Sequence, residues 1–149
     1  MIIINKRNLF FLISVWLLST LLSAQNVTIS TPQTQLLLSV PNGGTPEQLY
    51  YGSRTSDADI RSICETACRR NAYPVYGMGY PCETALSVRH ADGNLTLQMA
   101  VIGVKETRLT KENATLTVIE LKDKVYPFFV NICYKAWQDA DVIETWTEI

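Results

Sequence analysis

The chain has 149 residues, and its 13 basic side chains nearly balance its 14 acidic ones, giving a formal net charge of −1. Nucleic-acid binding depends on clustered cations, and the sequence shows neither a basic patch nor aromatic residues interleaved with Lys and Arg. These features exclude a nucleic-acid partner. The length suits one domain with a real hydrophobic core.

Residues 1–24 have the pattern of a secretory signal peptide. Lys6 and Arg7 give a charged start, residues 9–18 are apolar, and the small residues Ser23 and Ala24 suit a cleavage site. An uncleaved membrane anchor is the alternative, but the apolar run is short and interrupted. We therefore expect export to the periplasm or the extracellular space, a mature chain beginning near Gln25, and no membrane partner after cleavage.

Beyond residue 24 the apolar residues recur mainly with a period of two, which is typical of β-strands. The predicted strands, in chain order, cover residues 27–31, 35–40, 48–51, 86–89, 95–101, 115–121, 128–134 and 142–149. One segment, 57–70, has helical character, and it opens a long connection that ends at residue 82. The pattern predicts an all-β, antiparallel sandwich with one short helical segment.

The segment His90-Ala91-Asp92-Gly93-Asn94 predicts a tight hairpin between two of these strands, because Asp-Gly tolerates the positive φ of such a turn. His90 beside this turn is expected to face solvent.

Cysteine usage also fits an exported protein, since four cysteines allow up to two disulfides with three connectivities. The candidate disulfide residues are Cys64, Cys68, Cys82 and Cys133. The spacing does not choose among the pairings, and buried thiols are the alternative. A zinc site built from three of them with His90 matches no common zinc pattern, so no metal site is predicted.

No catalytic residue and no cofactor is predicted. The single histidine lies at a turn, the glycines lack the context of a phosphate-binding loop, and the acidic residues lie in turns or on the polar faces of strands. A complete pair of catalytic carboxylates is therefore not expected.

The tyrosines of the long connection are the candidates for ligand contact. Tyr73, Tyr76 and Tyr80 could stack on sugar rings while their hydroxyls bond sugar hydroxyls. Ordinary packing of the loop on a sheet is an equally good interpretation. Sequons at Asn26, Asn94 and Asn113 would be glycosylated in a eukaryotic secretory pathway.

Several ordered blocks resemble the N-terminal domain of glycoside hydrolase family 36 α-galactosidases of the Bacteroidales type. The blocks are Tyr73-Pro74-x-Tyr76-Gly77-x-Gly79, Glu83-Thr84-Ala85-Leu86-Ser87-Val88-Arg89-His90-Ala91-Asp92-Gly93-Asn94, Leu121-Lys122-Asp123 with Tyr126-Pro127-Phe128, and residues 142–149. The resemblance implies a β-supersandwich ahead of a (β/α)8 barrel that carries both catalytic aspartates, so no catalytic residue is carried over. It also implies α-galactosides as substrates of the parent enzyme, loop contributions to the sugar site, and contacts between subunits of a homo-oligomer.

Two features qualify this resemblance. Many family members follow the last loop glycine with Asp-Phe-Arg, whereas this chain has Tyr80-Pro81-Cys82. The final strand pattern, 142–149, runs to the last residue, and a strand needs neighbours to pair its backbone groups. We therefore expect a non-catalytic front end of an exported α-galactosidase, truncated before its barrel. The alternatives are a free-standing secreted carbohydrate-binding sandwich and a disulfide-stapled structural protein without a ligand.

Overall fold

A computed structural model of the chain describes residues 25–79, 81 and 83–149. The predicted signal peptide, Tyr80 and Cys82 lie outside the described residues. Within the described part, no helix is long and apolar enough to cross a membrane.

Two four-stranded antiparallel sheets form the fold, and they confirm the predicted all-β sandwich. The first sheet has the order β1-β2-β3-β4 and the second β5-β6-β7-β8. The elements are β1 (Gln25–Ser30), β2 (Thr34–Val40), β3 (Glu47–Ser53), helix α1 (Asp57–Thr66), β4 (Arg70–Asn71), β5 (Met99–Leu109), a 3₁₀ turn (Thr110–Glu112), β6 (Ala114–Asp123), β7 (Phe129–Trp137) and β8 (Val142–Glu148).

Helix α1 begins where the sequence predicts it, because Ser56 caps its first turn by accepting a hydrogen bond from the Asp59 N–H. It ends at Thr66, short of the predicted residue 70. Arg70–Asn71 instead pairs with β3 as the edge strand β4, which takes these residues out of the helix.

The core lies between the inner faces of the two sheets. Strand β2 is buried on both faces, whereas β7 alternates and directs Val130, Ile132 and Tyr134 inward as predicted. The core residues from the two sheets are Val27, Ile29, Leu36, Leu38, Val40, Met99, Val101, Ile119, Leu121, Val130, Ile132, Tyr134 and Ala136. Tyr73, Val75 and Leu97 join them from the segment between β4 and β5, so that segment is part of the packed structure.

The hairpin predicted around residues 90–94 is only half right. The turn exists: the His90 N–H donates to the Asn94 carbonyl (2.9 Å), and Gly93 has φ +88°. The flanking residues do not pair as strands, however, because the Leu97 N–H donates to the Tyr76 carbonyl (2.9 Å). The Gln98 N–H likewise donates to the Asp123 carboxylate (2.7 Å). The strand that follows is β5, which starts later and runs further than predicted.

The expectation that His90 faces solvent is wrong. Its ring stacks on that of Tyr126, with centroids 3.6 Å apart and 12° between the planes, and meets Phe128 edge-on at 6.1 Å. The turn folds back onto residues 123–128, which connect β6 to β7. This packing buries His90 Nε2, and that atom has no hydrogen-bond partner among the described residues.

Asp141 ties the two sheets together at the other end of the sandwich. It lies in the β7–β8 turn at φ +51°, and its carboxylate faces the β1–β2 turn. It accepts hydrogen bonds from the N–H groups of Gln33 (3.1 Å) and Thr34 (3.2 Å), and from the hydroxyls of Thr31 and Thr34. The Thr31 hydroxyl, ahead of these N–H donors, lowers the pKa of Asp141.

We expect Asp141→Asn to lower the free energy of unfolding at neutral pH. The carboxylate of Asp141 accepts through both of its oxygens, whereas an asparagine amide has a single acceptor oxygen for the same donors. Because the pKa of Asp141 is lower in the folded state, its ionised carboxylate stabilises the fold at pH values above the ordinary pKa of an aspartate. This stabilisation is lost as the pH falls through the pKa of the folded state. The difference from the parent chain should therefore shrink on acidification. Urea unfolding at about pH 7 and about pH 3 measures this. Glu106→Gln, on the exposed part of β5, is the control, and an equal loss in both variants would contradict the role of Asp141.

We expect His90→Phe to raise the free energy of unfolding by about 1 kcal/mol, because it removes a buried polar atom without a partner and keeps a flat ring on Tyr126. His90→Ala removes the stacking as well and should destabilise the fold. Thermal unfolding of the three proteins measures both effects. A Phe variant less stable than the parent chain would show that Nε2 makes a bond in solution.

Candidate functional site

The candidate site is the segment that crosses from the first sheet to the second, residues 72–98, here called the crossover loop. It contains the two predicted tyrosines that the structure describes, and it places them in opposite environments. Tyr73 is 7% exposed, and its hydroxyl is 3.1 Å from the Thr147 hydroxyl of β8. Tyr76 is 49% exposed. Of these two tyrosines, Tyr76 is therefore the one that presents its ring to a ligand, and Tyr80 lies outside the described residues.

Backbone hydrogen bonds fix the loop on both sides of Tyr76. The Ala85 N–H donates to the Pro74 carbonyl (2.7 Å), and the Tyr76 N–H donates to the Leu86 carbonyl (3.3 Å). The Tyr76 carbonyl in turn accepts from the Leu97 N–H (2.9 Å). Three stretches of the loop are thus held side by side, so Tyr76 has a fixed backbone beneath an exposed side chain.

The surface around Tyr76 is apolar for an exposed loop. Met78 is 40% exposed and Leu95 is 45% exposed. Gly77 lies against Thr96, which brings the stretch containing Met78 next to the stretch containing Leu95. These exposed apolar side chains thus lie on two neighbouring stretches of the loop, where they are available for contact with another molecule.

A cleft of about 460 Å³ opens beside Tyr73, between β2 and β3 of the first sheet and β7 and β8 of the second. Apolar residues of both sheets line it, and polar atoms reach it from Gln48, Tyr51, Tyr73, Tyr134 and Thr145. Burial, with a smaller effect of Tyr73, raises the pKa of Tyr134 to about 12, so its phenol stays protonated. The sequence gives no signal for this cleft, because its walls come from strands far apart along the chain.

The cysteines do not converge in the described part of the chain. Cys64 lies in α1 and its sulfur accepts a hydrogen bond from Asn26 Nδ2 (3.2 Å), Cys68 is exposed beyond the helix end, and Cys133 is buried in β7. No disulfide joins these three. Burial, followed by the Glu148 carboxylate, raises the pKa of Cys133, which disfavours its thiolate. With Cys82 outside the described residues, the disulfide pairing stays a prediction.

All three sequon asparagines use their side-chain amides within the fold. Asn26 Nδ2 donates to the Cys64 sulfur, Asn94 Nδ2 to the Tyr126 hydroxyl and Asn113 Nδ2 to the Asp139 carboxylate. These asparagines therefore have structural roles of their own. Among the described residues, no group of three or more His, Cys, Asp or Glu side chains is arranged to hold a metal ion.

Comparison with solved structures places this fold among family 36 enzymes. The α-galactosidase from Lactobacillus brevis matches with a TM-score of 0.70 and 15% identity, over 83% of this chain and 21% of that one. The family 36 α-galactosidase AgaA from Geobacillus stearothermophilus, solved in complex with raffinose, matches with a TM-score of 0.69 and 15% identity over the same shares. At such identities the likeness shows a common fold, and this chain spans about a fifth of their length.

A third similar structure is the galactosidase domain of the α-galactosidase-sucrose kinase AgaSK, with a TM-score of 0.65 and 18% identity over 80% of this chain and 21% of that one. The search of curated proteins found no match. The model of the glycosyl hydrolase family 36 N-terminal domain matches residues 44–149, well over half of the sequence. This chain therefore belongs to the glycosyl hydrolase family 36 N-terminal domain family.

Proposed function

We propose that this chain is the non-catalytic N-terminal domain of an exported α-galactosidase, whose catalytic groups come from polypeptide outside this sequence. The observation that carries the proposal is the family match over residues 44–149. The similar solved structures, each an α-galactosidase or a galactosidase domain, support the substrate class. Export rests on the charged and apolar pattern of residues 1–24. Contacts with the catalytic domain and with further copies of the enzyme belong to the same proposal.

Within this function, Tyr76 is the residue that we assign to sugar contact. Its ring is exposed on a loop whose backbone is fixed, so little conformational entropy is lost when a sugar stacks on it. Tyr73 does not qualify, because it is buried and its hydroxyl is engaged with Thr147. The patch of Met78 and Leu95 extends the same surface toward the sugar or the catalytic domain.

The free-standing carbohydrate-binding sandwich remains the second candidate, favoured by the same exposed Tyr76. The two functions differ in what the isolated chain does. A domain that only completes another site is expected to bind galactosides weakly, whereas a free-standing binding module must bind them unaided.

We expect the purified chain to show no turnover of p-nitrophenyl α-galactoside, because glycoside hydrolysis needs a pair of carboxylates and no Asp or Glu among the described residues lines the cleft beside Tyr73. Absorbance of the released nitrophenol measures this. Turnover that is lost on changing a residue of this chain would contradict the proposal. Raffinose titration followed by NMR separates the two candidates: binding lost in Tyr76→Ala but kept in Tyr51→Ala indicates the binding module.

The shape of the loop around Tyr76 depends on Gly77. Its φ is +96°, and a Cβ built there would lie 2.5 Å from Thr96 Cγ2 and 3.0 Å from Thr96 Cα. Gly79 has a similar φ of +72° but open space around it. The two glycines therefore separate the cost of backbone conformation from the cost of a steric clash.

We expect Gly79→Ala to lower the free energy of unfolding by about 1–2 kcal/mol, because alanine is strained in the left-handed conformation. Gly77→Ala should lower the free energy of unfolding by about 1–3 kcal/mol more than Gly79→Ala does, because the added methyl group must also displace Thr96. The loop contributes Val75 and Leu97 to the core, so urea unfolding of the whole chain reports the difference. Equal losses in the two variants would show that Thr96 does not pack on Gly77.

A further inference from the structure

The turn between β6 and β7, residues 123–128, covers the second half of the crossover loop. Asp123 fixes this turn: it is 1% exposed, and its carboxylate accepts from the N–H groups of Val125 (2.8 Å) and Tyr126 (2.9 Å). The same carboxylate accepts from the Gln98 N–H (2.7 Å) of the loop. Burial works to raise the pKa of Asp123, but the N–H donors of Tyr126, Gln98 and Val125 outweigh it and lower the pKa. The turn is thus rigid and joined to the loop.

Tyr126 contacts the loop through both its ring and its hydroxyl. Its ring stacks on the His90 ring. Its hydroxyl donates to the Asp92 carboxylate (2.6 Å) and accepts from Asn94 Nδ2 (3.0 Å). One phenol thereby holds both sides of the turn at Gly93. The bond with Asp92, with the Asn94 N–H next, also keeps the pKa of Asp92 below its ordinary value, so the acceptor stays charged.

A continuous set of contacts runs from Tyr126 to Tyr76. Asn94, held by the phenol, accepts from the Thr96 N–H through its Oδ1 (3.0 Å). Thr96 packs against Gly77, and the neighbouring Leu97 N–H donates to the Tyr76 carbonyl (2.9 Å). The position of Tyr76 therefore depends on where the segment 94–97 lies, and Tyr126 holds the start of that segment.

We propose that Tyr126 is a positioning residue, whose hydroxyl sets the place of Tyr76 through Asn94 and Thr96. This inference rests on the proposed function only in giving Tyr76 a sugar to contact; the mechanical link itself is independent of any ligand. A purely structural role would instead weaken the whole sandwich. The two roles differ in which backbone amides lose protection.

The test is amide hydrogen exchange, followed by NMR on the full chain, in Tyr126→Phe. The variant keeps the stacked ring and loses both hydroxyl hydrogen bonds. We expect the Tyr76 and Leu97 amides to exchange roughly five- to tenfold faster, as for the loss of about one net hydrogen bond. The Ile132 amide in the middle of β7 should keep its rate. Asn94→Ala, which breaks the next link, should reproduce this local pattern.

Tyr50→Phe is the matched control, because it also removes a tyrosine hydroxyl with a hydrogen bond, to the Ser53 carbonyl at 2.8 Å, on a distant strand. It should leave the Tyr76 and Leu97 rates unchanged. Unchanged rates in Tyr126→Phe, or acceleration that includes Ile132 to the same degree, would overturn the proposal. No sugar enters this experiment, so its outcome is separate from the galactoside titration that tests the proposed function.

Discussion

The structure depends on one topological constraint: each sheet is built from consecutive strands, and the described chain passes from one sheet to the other through residues 72–98. A connection of this length cannot leave its buried backbone groups unpaired. The crossover loop meets this demand by pairing three of its own stretches and by bonding to the turn at residues 123–128. The same requirement that makes the loop fold tightly also gives the exposed Tyr76 a fixed backbone.

Local patterns predicted the elements whose faces differ in polarity. Alternation predicted β7 and β8, and a run rich in β-branched residues predicted β6. The helical pattern predicted where α1 begins but not where it ends. Most of β5 was not predicted, because β5 lies at the edge of its sheet and its side chains after the first few residues are exposed. Glu106 and Arg108 are therefore solvated, and this part of the sequence shows no alternation of apolar residues. The opposite error occurred at residues 90–94, where a good hairpin turn lacks paired strands because Tyr76 and Asp123 supply the partners.

The candidate site was predictable as a segment but not as a set of residues. Tyr73 and Tyr76 look alike in sequence, since each stands in a loop rich in proline and glycine. Their difference arises from tertiary contacts: Tyr73 lies two residues after the edge strand β4 and packs into the core, whereas Tyr76 follows the buried Val75 and is exposed. The family resemblance suggested this loop as a candidate for sugar contact, but it does not distinguish these two side chains.

The crossover loop follows the first sheet in the chain and is bonded to both sheets. Its first tyrosine, Tyr73, bonds to Thr147 of β8, and its last residues bond to Asp123 at the end of β6. Both of these contacts are made to strands of the second sheet, whereas the Ala72 N–H at the start of the loop donates to the Pro46 carbonyl (2.9 Å), just ahead of β3 in the first sheet. β8 is an edge strand of the second sheet, so the contact between Tyr73 and Thr147 lies at the border of that sheet.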